Sequence, residues 1–339
     1  MNAVLYCDPR SLNDATNYYC GIIKKCVLEK GYNYCIAHTL NVVKNADLVI
    51  TITEKYFLKA KVRYPSKKTI YWAQGVDAEE TKMQINSLTQ VLRYLFRRIA
   101  ESFAVNNADL LFCVSDRMVQ YYEKKYGYHN SGNVVVMPCY NLQLSSEFNT
   151  FQYETPVFVY AGNTSVWQNV DFMLDVYALV EKQISGAEIR VFTRQVEEFQ
   201  MKIIQRNIKR FLVEYIPVER LQDELHKCKY GFIIRDNHIV NQVATPTKMN
   251  SYLAAYLIPI FSDGVDDFKK NISLGQYTIM AKCPLDVNEV ANMIVNFENN
   301  QNEFEHYKAI VERVFDDHYN DSKYAKIVSR QINKYILDV

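Results

Sequence analysis

Apolar and polar positions along this chain switch between a short and a helical period, which predicts strands separated by helices. AVLYC at residues 3–7 is an apolar run, followed by the polar segment DPRSLNDATN at residues 8–17. A helical pattern then occupies about residues 18–29 and is closed by Gly31. YCIAH (34–38), DLVITI (47–52) and TIYWAQG (69–75) read as further strands. Next, Ile85, Leu88, Leu92, Leu95, Ile99 and Phe103 recur on one face of a long helix. ADLLFCVS, a helix at about 116–126 and NVVVMPC follow. Such alternation predicts a parallel sheet with right-handed crossovers.

Periodicity lapses at residues 140–155, where NLQLSSEFNTFQYET reads as an interdomain linker. A second alternation begins with PVFVYAG, a helix near 170–183, EIRVFT, a helix near 196–207 and FLVEYI. It continues with a helix at 218–228, the strand YGFIIR, a helix opening at TPTK and the strand IPIFS, and from about Val287 the chain is helical and polar-faced. The expected fold class is therefore α/β, with two Rossmann-like domains and a cleft between them. The expected boundaries are 1–145, 146–320, and a C-terminal helix at 321–339 packing back on the first domain.

Composition narrows this picture modestly. A length of 339 residues suits two cores better than one. A formal net charge of +1 argues against a nucleic-acid partner. The 26 tyrosines suit either polar ligand pockets or cores, and cores are the ordinary use. Eight cysteines without a CxxC pair, several inside apolar runs, read as buried reduced thiols in a reducing compartment. The chain opens without a basic–apolar–small signal pattern, and no apolar run approaches the roughly 20 residues that span a bilayer. A soluble, cytoplasmic protein is expected. Neither GxGxxG nor GxxxxGK[ST] occurs, which argues against a dehydrogenase or a P-loop NTPase. No His, Cys or carboxylate group has metal-ligand spacing; Asp266 with Asp267, and Asp316 with Asp317, only superficially look like DxD.

The candidate chemistry concentrates in YGFIIRDNHIVNQVATPTKMNSYLAAYLIPIF. Thr245 is a suitable N-cap, with Pro246 at the first helical position. Lys248 then lies in the first turn, where the helix dipole disfavours a cation. A lysine there makes sense beside a phosphate-sized anion held by the free helix amides. Arg235 ends an apolar strand at the edge where ligands sit in open α/β sheets. Gly162 ends another, in AGNTS, where a glycine lets backbone approach a ligand.

These segments resemble the glycosyltransferase family 4 type of GT-B glycosyltransferase. AGNTSVWQNVDFMLDVYALV is similar to the first strand-to-helix turn of that family's C-terminal domain, and the PTK segment to its donor-binding helix. ADLLFCVSDRMVQYYEKKYG and NVVVMPCYN resemble the end of its N-terminal domain, so that the likeness runs over about residues 5–261. The resemblance implies transfer of a sugar from a nucleotide diphosphate sugar to a glycan, lipid-linked or protein-linked acceptor in polysaccharide or glycoconjugate assembly. It implies retention of configuration, no metal, and the nucleotide sugar as donor substrate in place of a resident cofactor. On this reading Arg235 and Lys248 are the catalytic cations at the leaving diphosphate. Gly162, Asn163, Thr164, Thr247 and Ser251 contact the donor, and Tyr215 leads a main-chain edge along the base.

The departures from the family are specific. Ser251 and Val243 stand where relatives usually carry glutamates, Tyr256 or Leu257 replaces a glycine, and Gln74 lies near a usual histidine. They leave open a non-catalytic GT-B-fold subunit that binds or regulates an active partner. Glu79 and Glu80 read as helix N-terminal acids, with acceptor binding as the other role. Arg93, Arg97 and Arg98 flank the stripe of the long helix, and Lys124 and Lys125 follow. Two readings stay open there: core packing with a solvated basic edge, which is favoured, or peripheral contact with the inner face of a membrane.

Overall fold

The computed structural model describes residues 1–12, 14–300 and 303–337, and the side chains of residues 14 and 15 lie outside that description. Asn13 of the expected polar segment and residues 338–339 of the expected C-terminal helix fall outside it as well. The chain forms two compact units: Met1–Asn141 with Val243–Thr245 and Asn320–Val339, and Leu142–Gln242 with Pro246–Tyr319.

The first unit runs β1 (Asn2–Tyr6), α1 (Asp14–Glu29), β2 (Asn33–Ala37), α2 (Leu40–Val43), β3 (Leu48–Thr51) and α3 (Glu54–Arg63). It continues β4 (Lys68–Ala73), α4 (Asp77–Lys82), α5 (Leu88–Asn107), β5 (Leu110–Cys113), α6 (Asp116–Tyr126) and β6 (Val134–Val136). Its strands form one parallel sheet in the order β2-β1-β3-β4-β5-β6. LVIT of β3 and LLFC of β5 are buried throughout. Strands covered on both faces favour apolar residues on both faces, which explains runs instead of alternation.

The second unit runs β7 (Val157–Ala161), α7 (Val170–Gln183), β8 (Glu188–Phe192), α8 (Val196–Gln205), β9 (Phe211–Glu214), α9 (Val218–Leu225) and β10 (Tyr230–Ile233). It continues α10 (Ile239–Gln242), α11 (Thr247–Ala254), β11 (Ile258–Ser262), α12 (Asp266–Asn271), β12 (Ile279–Ala281), α13 (Val287–Asn299) and α14 (Tyr307–Asp317). The sheet order is β12-β11-β10-β7-β8-β9, again all parallel. Strand order reverses between β7 and β10, and a crevice opens at the carboxyl ends of strands at such a point. The last helix, α15 (Asp321–Tyr335), belongs to the first unit, where it packs on α1. Tyr18 Oη donates to Asp321 (3.1 Å) and Cys26 Sγ to the Ala325 carbonyl (3.4 Å).

Tyrosines fill the cores and use their hydroxyls to satisfy backbone groups at element ends. Tyr307 Oη donates to the Leu257 carbonyl (2.7 Å), Tyr153 Oη to the Tyr256 carbonyl (2.8 Å) and Tyr256 Oη to the Ser145 carbonyl (3.2 Å). Helix α11 ends with paired bonds from the Tyr256 amide to the Leu253 carbonyl and from the Leu257 amide to the Tyr252 carbonyl. This closure puts Tyr256 at φ 57°, the left-handed position that a glycine normally fills. The buried ring against Phe148, 4.9 Å between centroids, offsets that strain.

Two expectations fail. From Leu142 on, the stretch read as a linker belongs to the second unit and is stitched to α11. The Leu142 amide donates to Asn250 Oδ1 (2.9 Å), Asn250 Nδ2 to the Leu142 carbonyl (3.0 Å), and the Ser145 amide to the Ala254 carbonyl (3.0 Å). Backbone ordered by side-chain bonds carries no periodic signal. The apolar stripe of α5 was expected to face the core, yet Leu88, Leu92, Leu95 and Ile99 are exposed while Ala100, Glu101, Ala104 and Val105 are buried. Small residues allow the C-terminal half to sit close, and Arg97 is drawn inward to Asp77 (3.2 Å) and Glu54 (3.7 Å). Periodicity identifies a face but not which way it points.

Glu101 is fully buried on α5 and accepts from Tyr126 Oη (2.6 Å). Burial pushes its carboxyl from 4.5 up to about 8, against the opposing Tyr126 bond and with help from Asp77, Glu80 and Glu79. The folded chain thus holds a proton that the unfolded chain releases above 4.5. The associated stability is full below that value and is lost as pH rises through about 8. Glu101→Gln is expected to flatten the fall in melting temperature between about pH 5 and about pH 9. Parallel pH profiles for the two proteins would contradict this assignment.

Candidate anion site

In the second unit the switch point assembles the site from three pieces of backbone: the turn after β7, the turn after β10 and the first turn of α11. Strand β7 stops because its last amide, on Ala161, is taken by Tyr252 Oη (3.0 Å), while the Gly162 amide donates to the Phe192 carbonyl (3.0 Å). Gly162 leaves room for the ends of two side chains. A Cβ there would lie 2.9 Å from Tyr160 Oη and 3.0 Å from Lys248 Nζ. The lysine reaches back from α11 across this gap, its ammonium 5.0 Å from the centroid of the Tyr160 ring. Tyr160 Oη in turn donates to the Asn163 carbonyl (2.6 Å), which shapes the turn.

Arg235 follows β10 and is buried, although it carries a charge. Its amide donates to Ser262 Oγ (2.8 Å), and Ser262 Oγ donates back to its carbonyl. Gly264 lets the chain after β11 pass: a Cβ there would lie 2.6 Å from the Arg235 carbonyl oxygen. The guanidinium is held at both ends, Nη1 donating to Asn241 Oδ1 (3.3 Å) and Nη2 to Gln168 Oε1 (3.1 Å). Lys248 Nζ donates to the same Gln168 oxygen (2.8 Å). Two cations therefore converge on one neutral amide oxygen. Among the described residues no carboxylate lies within ion-pair distance of Lys248. Burial, and secondarily the nearby Arg235 charge, push its ammonium well below the ordinary lysine range of 10.5.

The remaining expected residues are placed unevenly around this pair. Thr247 is the first residue of α11. Thr245 is not its N-cap; that position is Pro246, and Thr245 Oγ1 accepts the Cys139 amide (2.9 Å). Proline has no side-chain acceptor for the first amides of the helix, so a bound anion can serve them. Asn163 is exposed in the glycine turn, where its Oδ1 accepts the Ser165 amide (3.0 Å). Thr164 is held by Gln195, which accepts its amide (3.0 Å) and donates to its hydroxyl (2.6 Å). Ser251 Oγ donates to the Thr247 carbonyl within its own helix (3.1 Å). Tyr215 is exposed after β9, and Arg194 lies 5.3 Å over its ring.

Sequence reasoning missed the organisers of the site. Gln168, Asn241 and Ser262 hold the cations, and Tyr252 ends β7. Gln168 carries a weak signal, a polar residue in the short turn Val166–Gln168 after a glycine loop. Asn169, at φ 51°, then turns the chain into α7 and donates to Asp236 Oδ1 (3.0 Å). In the first unit, Glu79 is buried and accepts from Lys125 (2.6 Å) and Tyr121 (3.0 Å), and Gln74 accepts from Tyr19 (3.0 Å). Among the described residues no group of three His, Cys, Asp or Glu side chains is arranged to hold a metal ion, and no helix is long and apolar enough to cross a membrane.

No family model matches the sequence, and no curated protein matches it closely enough to count as a relative. Solved structures do match the shape. Sucrose-phosphate synthase from Thermosynechococcus elongatus superimposes with a TM-score of 0.71 over 100% of both chains, at 12% identity. HepE from Anabaena, solved with UDP-glucose, gives 0.68 over 98% of this chain and 100% of its own, at 12% identity. The lipopolysaccharide outer core galactosyltransferase WaaB gives 0.63 over 100% of this chain and 99% of its own, at 12% identity. At such identities the likeness establishes the fold, GT-B with two Rossmann-like domains.

The depressed ammonium of Lys248 makes a thermodynamic prediction for the unliganded protein. A group whose folded pKa is lowered costs stability at neutral pH, and the cost disappears as pH rises above its ordinary value. Lys248→Met is therefore expected to raise stability near pH 7. The gain should shrink as pH approaches 10.5. Denaturant titrations at the two pH values measure it, and a loss of stability at neutral pH would contradict the charge assignment.

Proposed function

We propose that this protein is a glycosyltransferase that takes a sugar from a nucleotide diphosphate sugar and passes it to a hydroxyl of a glycan, lipid-linked or protein-linked acceptor. The observation that carries the reading is the convergence of Arg235 and Lys248 on Gln168 at the switch point of the second unit. In the reaction the bond between the sugar's anomeric carbon and the diphosphate oxygen breaks. A bond from that carbon to the acceptor oxygen forms. Negative charge grows on the departing diphosphate, and preorganised donors aimed at such charge supply a large share of catalysis. Arg235 is held rigidly for this task, and a phosphate beside Lys248 would offset the burial that lowers its ammonium. The first amides of α11 add neutral donors. With two fixed cations in place, the diphosphate's charge is met by the protein's own groups, so no resident metal or cofactor is part of the proposal. In the retaining course implied by the family resemblance, the departing phosphate takes the acceptor's proton.

Complexes among the matched structures support the donor class: HepE was solved with UDP-glucose, and an Escherichia coli trehalose-6-phosphate protein with UDP-2-fluoro glucose. A non-catalytic subunit on the same fold is the second reading. It is favoured by Ser251, whose hydroxyl is spent on its own helix, and by buried Val243, so that neither position offers a carboxylate to a ribose.

Titration calorimetry with UDP, GDP, ADP and TDP tests the donor site. Binding of one of them is expected, and Lys248→Ala should weaken it by about 1.5–3 kcal/mol, the range for hydrogen bonds to charged groups. Gly162→Ala should weaken it in the same direction, because its methyl would displace the ammonium that lies 3.0 Å away. Silence with all four diphosphates at millimolar concentration would sink the proposal. Slow hydrolysis of the matching nucleotide sugar without acceptor separates an enzyme from an inert subunit.

A further inference from the structure

The outward face of α5 is unusual for a water-facing surface. Leu88 is 76% exposed, Leu92 59%, Leu95 44%, Phe96 47% and Ile99 68%, and Ile85 just before the helix is 37% exposed. At about 100° per residue the five helical side chains share a sector of roughly 100°. Contiguous apolar patches of this kind mark contact surfaces. Arg93 and Arg98, both exposed, stand about 60° beyond opposite edges of the sector on the same helical wheel. The third arginine, Arg97, turns inward to Asp77 and Glu54 and keeps that side of the helix on the protein. The one acid in α5, Glu101, is buried, so the helix shows solvent only apolar, neutral and positive side chains. Lys125 of α6 borders the same face, in a shallow concavity shared with Leu95, Arg98 and Ile99, although its ammonium is paired with Glu79.

We propose that α5 docks the first unit onto the surface of an anionic lipid bilayer, with Leu88, Leu92, Leu95, Phe96 and Ile99 in the interface and Arg93 and Arg98 against lipid phosphates. An apolar stripe edged by arginines suits a helix lying in the headgroup region. Charge complementarity selects the occupant. A second copy packed on this stripe would set arginine edges against arginine edges, with no exposed acid on α5 to pair them. A bilayer with anionic headgroups receives the apolar stripe and both cationic edges together. The inference goes beyond the proposed reaction and does not depend on it, since docking requires no nucleotide.

Co-sedimentation of the purified full chain with phosphatidylcholine vesicles, with and without phosphatidylglycerol, tests it. The protein is expected to sediment with the anionic vesicles and to remain in the supernatant with the zwitterionic ones. Leu92→Glu with Ile99→Glu should abolish sedimentation. Arg93→Gln and Arg98→Gln should each weaken it about fivefold, the usual effect of one basic residue near an anionic surface. All four positions except the arginine stems are open to water, and unchanged thermal melting would confirm that the variants fold. Three results would overturn the proposal: a wild-type chain that ignores anionic vesicles, equal binding to both vesicle types, or a lipid-free dimer that Leu92→Glu with Ile99→Glu converts to monomer.

Discussion

Burial of the Lys248 ammonium beside Arg235, with both side chains donating to one amide oxygen, sets the terms for the second unit. Gln168 accepts from both Arg235 and Lys248, and a neutral acceptor cannot cancel two charges. Much of the surrounding architecture serves to keep them there. Ser262 and Gly264 fix the Arg235 backbone, Asn241 takes the other end of its guanidinium, and Tyr160 gives Lys248 an aromatic face. In the proposed donor site, an arriving diphosphate would offset the cost of that burial. On the proposed function, stability and donor binding would pull in opposite directions at Lys248.

That arrangement rests on the parallel sheet. Strands covered on both faces favour apolar residues along their length, so the chain places its polar groups at the carboxyl ends. Order reversal between β7 and β10 leaves those ends without a crossing helix between them, and Gly162 and Arg235 emerge there. Tyrosine makes this layout tolerable. Its ring fills core volume, while its hydroxyl meets backbone groups stranded where strands and helices stop, as Tyr252 does at Ala161 and Tyr307 at Leu257. The tyrosine-rich composition is therefore largely an architectural solution, and Tyr160 is where it touches the site.

The sequence by itself determined a good deal. Apolar runs located the strands, turn residues separated them, and TPTK marked a helix start with a cation in an electrostatically awkward place. These features are local, so a linear reading recovers them. Direction and partnership are not local. The period of α5 was legible, but the choice between core and solvent fell to Ala100, Ala104 and the inward pull on Arg97, and it left the large side chains outside. Thr245 looked like a helix cap until the fold gave its hydroxyl to Cys139, over a hundred positions away. Gln168 carried no motif, because its importance comes from two side chains that are distant in sequence and meet only once β7, β10 and α11 are packed. Spacing along the chain encodes the elements; which polar atoms end up sharing one small volume is decided by packing, where each hydrogen bond depends on all the contacts that bring its partners together.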